Sequence, residues 1–313
     1  MRALVTGGAG FIGSHLCETL LDLGHVVWCV DNLHLGKREH IAHLAQHGDF
    51  RFFPLDVLDE AALDEVLRDG HFDTVFHLAA NSDIARGAID RRLDRKLTFE
   101  TTLAVAAAME RHAVRRLFFA SSSAIFGESA GPLAEDSGPV EPVSFYGAAK
   151  LSSEAFLSTY AHSFGFQVWT LRFPNVVGER STHGVVHDFM RRLRAEPTRL
   201  EVLGDGNQEK PYLYVKDLVR AILLVVERGG SPWAVYHIAG RGRTTVRDIA
   251  GIVIEEMGLK KCIVSYTGER RGWIGDVAQF QYDTRKIEQL GFVPRLNSTE
   301  SVRFAVRRML GKE

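Results

Sequence analysis

The sequence predicts an α/β protein: a doubly wound parallel sheet with a smaller α/β lobe in the C-terminal half. Three observations carry that prediction. An apolar run at residues 3–5 ends in Thr6-Gly7-Gly8-Ala9-Gly10-Phe11-Ile12-Gly13, and helical spacing follows at once through Ile12, Leu16, Leu20 and Leu23. That is a strand, a tight turn and a helix with one buried face. Apolar runs then alternate with helical periods as far as Asn175, which calls for a parallel sheet covered on both sides. Beyond Asn175 the alternation lapses, marking a second lobe expected to close over a crevice at the strand ends.

The opening stretch divides its work among the glycines. Gly7 permits the sharp turn off the strand, Gly10 lets a diphosphate approach the backbone, and Gly13 lets the helix sit close on the sheet. The helix N-terminus offers free N–H groups and a partial positive charge to phosphates. A glycine pattern alone is weak evidence; its place between a strand and a helix makes it specific. A second apolar strand, residues 26–30, ends on Asp31. A carboxylate there accepts hydrogen bonds from both ribose hydroxyls of an adenosine, favouring NAD over NADP. Lys37 and Arg38 follow and offer a 2′-phosphate a cation, which pulls the other way.

The chain continues in the same rhythm. Residues 51–53 read as a short strand running into Asp56-Val57, 61–67 as a helix, and 74–78 as a buried strand before Ala79-Ala80-Asn81. A long helix covers residues 99–112, and strand 116–120 ends in Ser121-Ser122-Ser123. Asp56, Ala79, Ala80 and the three serines all fall at C-terminal strand ends, where open α/β sheets take their ligands. Residues 127–143, rich in proline, glycine and acid, read as a surface loop, followed by a helix over 146–164. Strand 168–172 ends in Phe173-Pro174-Asn175; further helices fall near 187–193, 215–227, 246–257 and 299–310, with strands at 200–203 and 235–238.

At 313 residues the chain holds one large α/β domain with an appendage, or two modest ones. A net charge of −1 gives no reason to expect nucleic acid or an anionic membrane as partner. Pairs such as Arg91-Arg92 and Arg307-Arg308 read as solvated faces, while Arg270-Arg271 is kept as an anion-binding candidate. Cys17, Cys29 and Cys262 sit at spacings that suit no metal site and read as thiols in a reducing compartment. No apolar run approaches the ~20 residues of a membrane span. A first strand starting at the second residue leaves no room for a signal peptide, so a cytoplasmic protein is expected.

The chemistry falls on Tyr146-Gly147-Ala148-Ala149-Lys150, which puts a phenol and an ammonium one helical turn apart on one face. A free tyrosine, with a pKa near ~10, is a poor base at neutral pH. A nearby cation together with a positively charged nicotinamide favours the phenolate. Ser122, at the end of the neighbouring strand, can hydrogen-bond the same substrate oxygen. Ser121 and Ser123 read equally well as caps of the following turn. Alone, a tyrosine four residues before a lysine is ordinary helix surface; beside a dinucleotide turn and a serine triplet it reads as catalytic.

With these residues in place the chain resembles the extended short-chain dehydrogenase/reductase superfamily, and within it the nucleotide-sugar epimerases and dehydratases. The likeness runs through the glycine turn, Asp31-Asn32, Asp56-Val57, His77-Leu78-Ala79-Ala80, Ser121-Ser122-Ser123, Tyr146 with Lys150, and Arg172-Phe173-Pro174-Asn175. It continues in Gly204-Asp205-Gly206, Tyr212 with Asp217, and Gly275-Asp276, and is strongest toward the UDP-glucose (UDP-galactose) 4-epimerases. The resemblance implies a Rossmann-type NAD-binding domain over residues 1–173, joined by about 214–240, interleaved with a nucleotide-sugar-binding lobe over 174–313. It implies a retained NAD held by Gly7, Gly10, Phe11, Ile12, Gly13, Asp31, Asn32, Lys37, Asp56, Val57, Leu78, Ala79, Ala80, Thr98, Ser121, Tyr146, Lys150 and Phe173. Ser122, Tyr146 and Lys150 are the implied catalytic residues. A nucleotide sugar would be held by Ser122, Ser123, Asn175, Val185, Lys210, Tyr212, Arg271, Asp276 and Phe280. The implied reaction is epimerisation at C4 through a transient 4-keto sugar, in a homodimer packed through the 99–112 and Tyr146 helices.

The departures narrow this. Dehydratases of the family place an acidic pair just after the serine or threonine; here those positions are Ser123 and Ala124, which disfavours dehydration. Thr98 stands where the family has an asparagine, and Lys210 where it has a diphosphate-binding arginine, exchanging a fork for a point charge. Phe280 falls where the family tunes space around the sugar's C2 substituent, favouring UDP-glucose or UDP-galactose over UDP-GlcNAc. A UDP-glucuronate substrate stays open, since Arg180, His183 or His187 could meet its carboxylate; a dehydratase or decarboxylase is the other enzymatic alternative. An NAD(H)-sensing protein without activity is the non-enzymatic alternative, but such relatives commonly lose the tyrosine or the lysine.

Overall fold

The computed structural model describes residues 1–127, 131–230, 232–268 and 280–313. The chain divides into two compact units. One comprises Met1–Ile125, Ser144–Arg172 and Val219–Tyr236; the other comprises Phe126–Val143, Phe173–Leu218 and His237–Glu313.

The first unit is organised by a seven-stranded sheet. Its strands are β1 (Arg2–Thr6), β2 (Val26–Val30), β3 (Phe50–Phe53), β4 (Thr74–His77), β5 (Arg116–Ser122), β6 (Gln167–Phe173) and β7 (Trp233–His237). They lie in the order β7-β6-β5-β4-β1-β2-β3. β1 pairs in parallel with β2 and β4, setting Leu4 against Trp28 on one side and Val75 on the other. The β2–β3 and β4–β5 pairs are parallel too. β-Branched and aromatic residues fill these strands because helices cover both faces. The winding runs outward from β1 to β3 and then returns to the far side of β1 at β4. That reversal opens a crevice at the C-terminal ends of β1 and β4.

Helices α1 (Phe11–Asp22), α2 (Glu60–Gly70), α3 (Ile84–Ile89), α4 (Arg91–Asp94), α5 (Thr101–Arg111) and α6 (Phe145–Ser163) belong to this unit. Asp59 caps α2 by accepting the Ala62 N–H at 3.2 Å, and Ser144 caps α6 through the Gly147 N–H at 3.0 Å. Leu63, Leu67, Val105 and Met109 from α2 and α5 pack on Leu4, Val75 and Leu117 of the sheet. Phe118 meets Phe76, ring centroids 6.0 Å apart. The helix expected over 99–112 starts differently: Arg95–Glu100 is a π-turn that runs into α5. The Thr101 and Thr102 hydroxyls donate to the carbonyls of Leu97 and Thr98, and such back-bonding loosens a helical ladder.

The second unit is built from short ribbons and amphipathic helices. Asn175–Val177 pairs with Tyr212–Tyr214 and Arg199–Val202 with Ile263–Tyr266, both parallel, while Glu209–Lys210 pairs antiparallel with Thr244–Thr245. Pro132–Leu133 pairs with Gln281–Tyr282, so residues 127–143, read as a plain loop, contribute a strand. Helices Val185–Ala195, Val246–Glu256 and Ser298–Met309 enclose a core of Phe189, Met190, Ile249, Val253 and Val302. Thr245 and Asn297 close reciprocal capping boxes with Asp248 and Glu300. Among the described residues no helix is long and apolar enough to cross a membrane.

Phe118 is fully buried in β5. Phe118→Ala is expected to cost about 3–5 kcal/mol through lost burial and the cavity left behind, read as a lower midpoint in chemical denaturation.

Candidate active site

The glycine turn is shaped by close approach. Gly7 holds φ +71°, and a Cβ on it would lie 2.7 Å from the Ala79 backbone nitrogen, so the turns after β1 and β4 meet there. A Cβ on Gly13 would run into the Gly7 carbonyl oxygen. Helix α1 begins at Phe11 with no side-chain cap and no acidic residue in its first turn. Its leading N–H groups are therefore left for an anion.

Asp31 sits where the sequence places it, at the end of β2 and 8% exposed. Its carboxylate accepts the Ala9 N–H at 3.0 Å and the Leu33 N–H at 2.8 Å. Burial pushes the group upward, and those amides oppose the shift. A Cβ on Gly36 would lie 2.7 Å from either carboxylate oxygen, so glycine is needed beside it. Asn32 donates to Asp56 at 3.1 Å. The Lys37 N–H reaches the Ala9 carbonyl at 2.9 Å, tying that segment to the glycine turn. Val57 and Ser121 are buried, and Leu78, Ala79 and Ala80 are half-buried. Thr98 is fully buried, its Oγ1 accepting the Asn81 N–H at 3.1 Å, so its side chain braces the loop after β4.

The catalytic candidates converge at the end of β5. Tyr146 and Lys150 lie on α6, one turn apart, and the Ser122 hydroxyl at the end of β5 favours the Tyr146 phenolate. The Ser122 oxygen also accepts the Ala124 N–H at 3.2 Å. Lys150 Nζ donates to the Ala120 carbonyl at 2.6 Å and lies 4.7 Å from the Phe119 ring centroid and 5.8 Å from that of Tyr146. Burial pushes Lys150 down to about 7, against the pull of Glu154 and Asp94. Burial pushes Tyr146 up to about 12, opposed by the Ser122 hydrogen bond. The expected lowering of the phenol by its lysine is therefore not a property of the chain alone: desolvation outweighs it.

Several supporting residues carry no local sequence signal. Glu154 accepts from Ser121 at 2.5 Å and is gripped by Arg172 at 2.6 and 3.0 Å, all buried. Only its spacing, one turn beyond Lys150, could have flagged it. His77 lies between the hydroxyls of Thr6 at 2.7 Å and Thr102 at 3.1 Å. Burial pushes it down to about 3, so it is neutral and ties β1 and β4 to α5.

In the second unit, Asn175 and Tyr212 are register partners on their ribbon, the first exposed and the second buried. Val185 opens its helix after Gly184, and Lys210 stands opposite Thr244. Phe280 is buried, its ring edge-on to Tyr282 at 5.4 Å. Phe173 ends β6, and Ser123 opens a single turn after β5. Arg270, Arg271 and Asp276 lie outside the described residues.

Residues 3–239 match the NAD dependent epimerase/dehydratase family. The chain belongs to that family. It is 31% identical over 313 residues to a UDP-glucose 4-epimerase of Mycolicibacterium smegmatis, covering 96% of each chain. Among solved structures it resembles a Thermus thermophilus UDP-glucose 4-epimerase in complex with NAD, with TM-score 0.88, 32% identity and full coverage of both chains. It also resembles a dTDP-glucose 4,6-dehydratase of Streptomyces venezuelae solved with NAD, with TM-score 0.90, 28% identity, and 99% and 97% coverage.

The residues present fit the family's dinucleotide. A side chain at Gly7 or Gly13 would displace the backbone that shapes the turn, the α1 amides are uncapped, and Asp31 presents a carboxylate that a 2′-phosphate would oppose. Gly13→Ala should push the Gly7 carbonyl out of place and weaken NAD binding by at least ~10-fold, equivalent to 1.4 kcal/mol. Calorimetric titration of nucleotide-stripped protein measures this; affinity equal to the wild type would show that the cradle tolerates the methyl.

Proposed function

We propose that the chain is a nucleotide-sugar 4-epimerase that keeps its NAD, with UDP-glucose and UDP-galactose as substrates. One observation carries the reading: Tyr146 and Lys150 are buried one turn apart on α6, Lys150 Nζ donates to the Ala120 carbonyl of β5 at 2.6 Å, and Ser122 ends that strand, where it favours the Tyr146 phenolate. The names of its relatives support it. Dehydratases share the fold closely, so fold does not separate the two reactions. The residues after Ser122 favour epimerisation, since Ser123 and Ala124 offer no acid for an elimination.

When bound, NAD would supply a hydride acceptor for C4 and, once reduced, a hydride donor. The chain's part is proton handling and grip. Ser122 Oγ holds the sugar's 4-oxygen, and Tyr146 Oη takes the proton of the 4-hydroxyl and gives it back. The Lys150 ammonium, 5.8 Å from the Tyr146 ring centroid, would stabilise the phenolate and hold the nicotinamide ribose. The first unit serves as the dinucleotide domain, with Asp31 on the adenosine ribose. In the second unit, Asn175 and Lys210 face the diphosphate, and Phe280 takes the space an N-acetyl group would need. The chain acts in the cytoplasm as a homodimer packed through α5 and α6, where Phe156, 49% exposed, sits edge-on to Phe99 at 5.2 Å.

Tyr146→Phe is expected to lower UDP-galactose conversion by at least ~10²-fold while NAD stays bound, followed by NMR of the product and by nicotinamide content. Full activity in that variant would end the assignment. Phe156→Glu should yield monomers in analytical ultracentrifugation, because it buries a charge without a partner at the contact; a stable dimer would place the interface elsewhere.

A further inference from the structure

No step above uses Asp94. It closes α4 as the chain enters the π-turn, and it is 1% exposed. Its Oδ1 accepts the Asn81 side-chain amide at 2.7 Å, whereas its Oδ2 has no hydrogen-bond partner. Asn81 is itself immobilised. Its second amide hydrogen goes to the Asp83 carbonyl at 3.0 Å, its Oδ1 accepts the Asp83 N–H at 3.2 Å, and its own N–H goes to Thr98. Gly87 makes the room, since a Cβ there would collide with Oδ2.

A buried carboxylate oxygen with no donor is costly unless a cation shares its low-dielectric surroundings. α4 and the π-turn both pack on α6, and the cation that α6 buries is Lys150. Glu154, the other anion near Lys150, is already matched by Arg172. We propose that Asp94 is a positioning residue: its buried carboxylate is a second counter-charge that, with Glu154, keeps Lys150 an ammonium beside Tyr146. The inference rests on the epimerase reading for its kinetic consequence only.

The charges acting on Lys150 are Glu154 on its own helix and Asp94 from α4, with Arg172 from β6 reaching it by way of Glu154; Tyr146 has its ring 5.8 Å from Nζ, and neutral His77 from β4 feels the same ammonium. Asp83 is the other charge acting on Asp94. The Asp94 anion raises the proton affinity of both Lys150 and Tyr146. Removing it lowers both, so the phenolate forms and the ammonium is lost at lower pH.

Asp94→Asn keeps the shape and the room beside Gly87. Both limbs of the kcat–pH profile should move to lower pH by about one unit, so activity lost at alkaline pH returns on acidification. In nicotinamide-free protein, the Lys150 ¹³Cε resonance, identified by its loss in Lys150→Met, should titrate at correspondingly lower pH. Limbs that stay in place while activity drops equally at every pH, or an unmoved Lys150 titration, would overturn the proposal. If Asp94→Asn does not fold, the reciprocal experiment decides: Lys150→Met should raise the pH at which the Asp94 carboxyl titrates, and an unchanged midpoint refutes the pairing. A wild-type protein that converts no nucleotide sugar defeats the epimerase reading instead, and the NMR titrations still judge Asp94.

Discussion

A lysine ammonium buried at the upper edge of the sheet is the constraint around which the first unit is arranged. Lys150 has one carbonyl, Ala120, and two aromatic rings for company, and burial brings it down to about 7 even with Glu154 and Asp94 opposing the shift. Keeping it charged requires anions, and buried anions require partners of their own. Glu154 answers one need and brings Arg172 and Ser121 with it. The ends of β5 and β6 are thereby fastened to the middle of α6. One charge thus organises three elements.

The phenol beside it is the counterpart. In the chain by itself Tyr146 stays protonated well above neutrality, because burial penalises the phenolate more than Ser122 stabilises it. A phenol in such a setting becomes a base only when further positive charge is brought alongside. The same burial that raises Tyr146 excludes water, which strengthens every electrostatic interaction it later makes.

The glycine turn supplies the other fixed point. Because Gly7 touches the backbone at Ala79, and Thr6 shares His77 with Thr102, the turn after β1 and the loop after β4 are set together. The loop after β4 continues through Asn81 to Thr98 and Asp94. Ser153 of α6 donates to Thr102 at 3.2 Å, so the glycine turn and α6 are joined by hydrogen bonds through Thr6, His77 and Thr102 within one unit.

Much of this was legible in the sequence, and for a local reason. Gly7, Gly13 and Asp31 are dictated by backbone geometry and ligand charge within a single strand–turn–helix–strand unit. Tyr146 and Lys150 are read from one turn of one helix. The ribbon of Ile263–Tyr266 with Arg199–Val202 was not legible in that way, since each short strand gains its identity from a partner some sixty residues distant. The work of Asp94, Asn81 and Glu154 was hidden as well: an acidic residue in a helix is ordinarily solvated, and nothing nearby in the chain says otherwise. Sequence alone determined which groups could do the chemistry; tertiary structure decided their charge, because proton affinity depends on burial and on partners brought together only by folding.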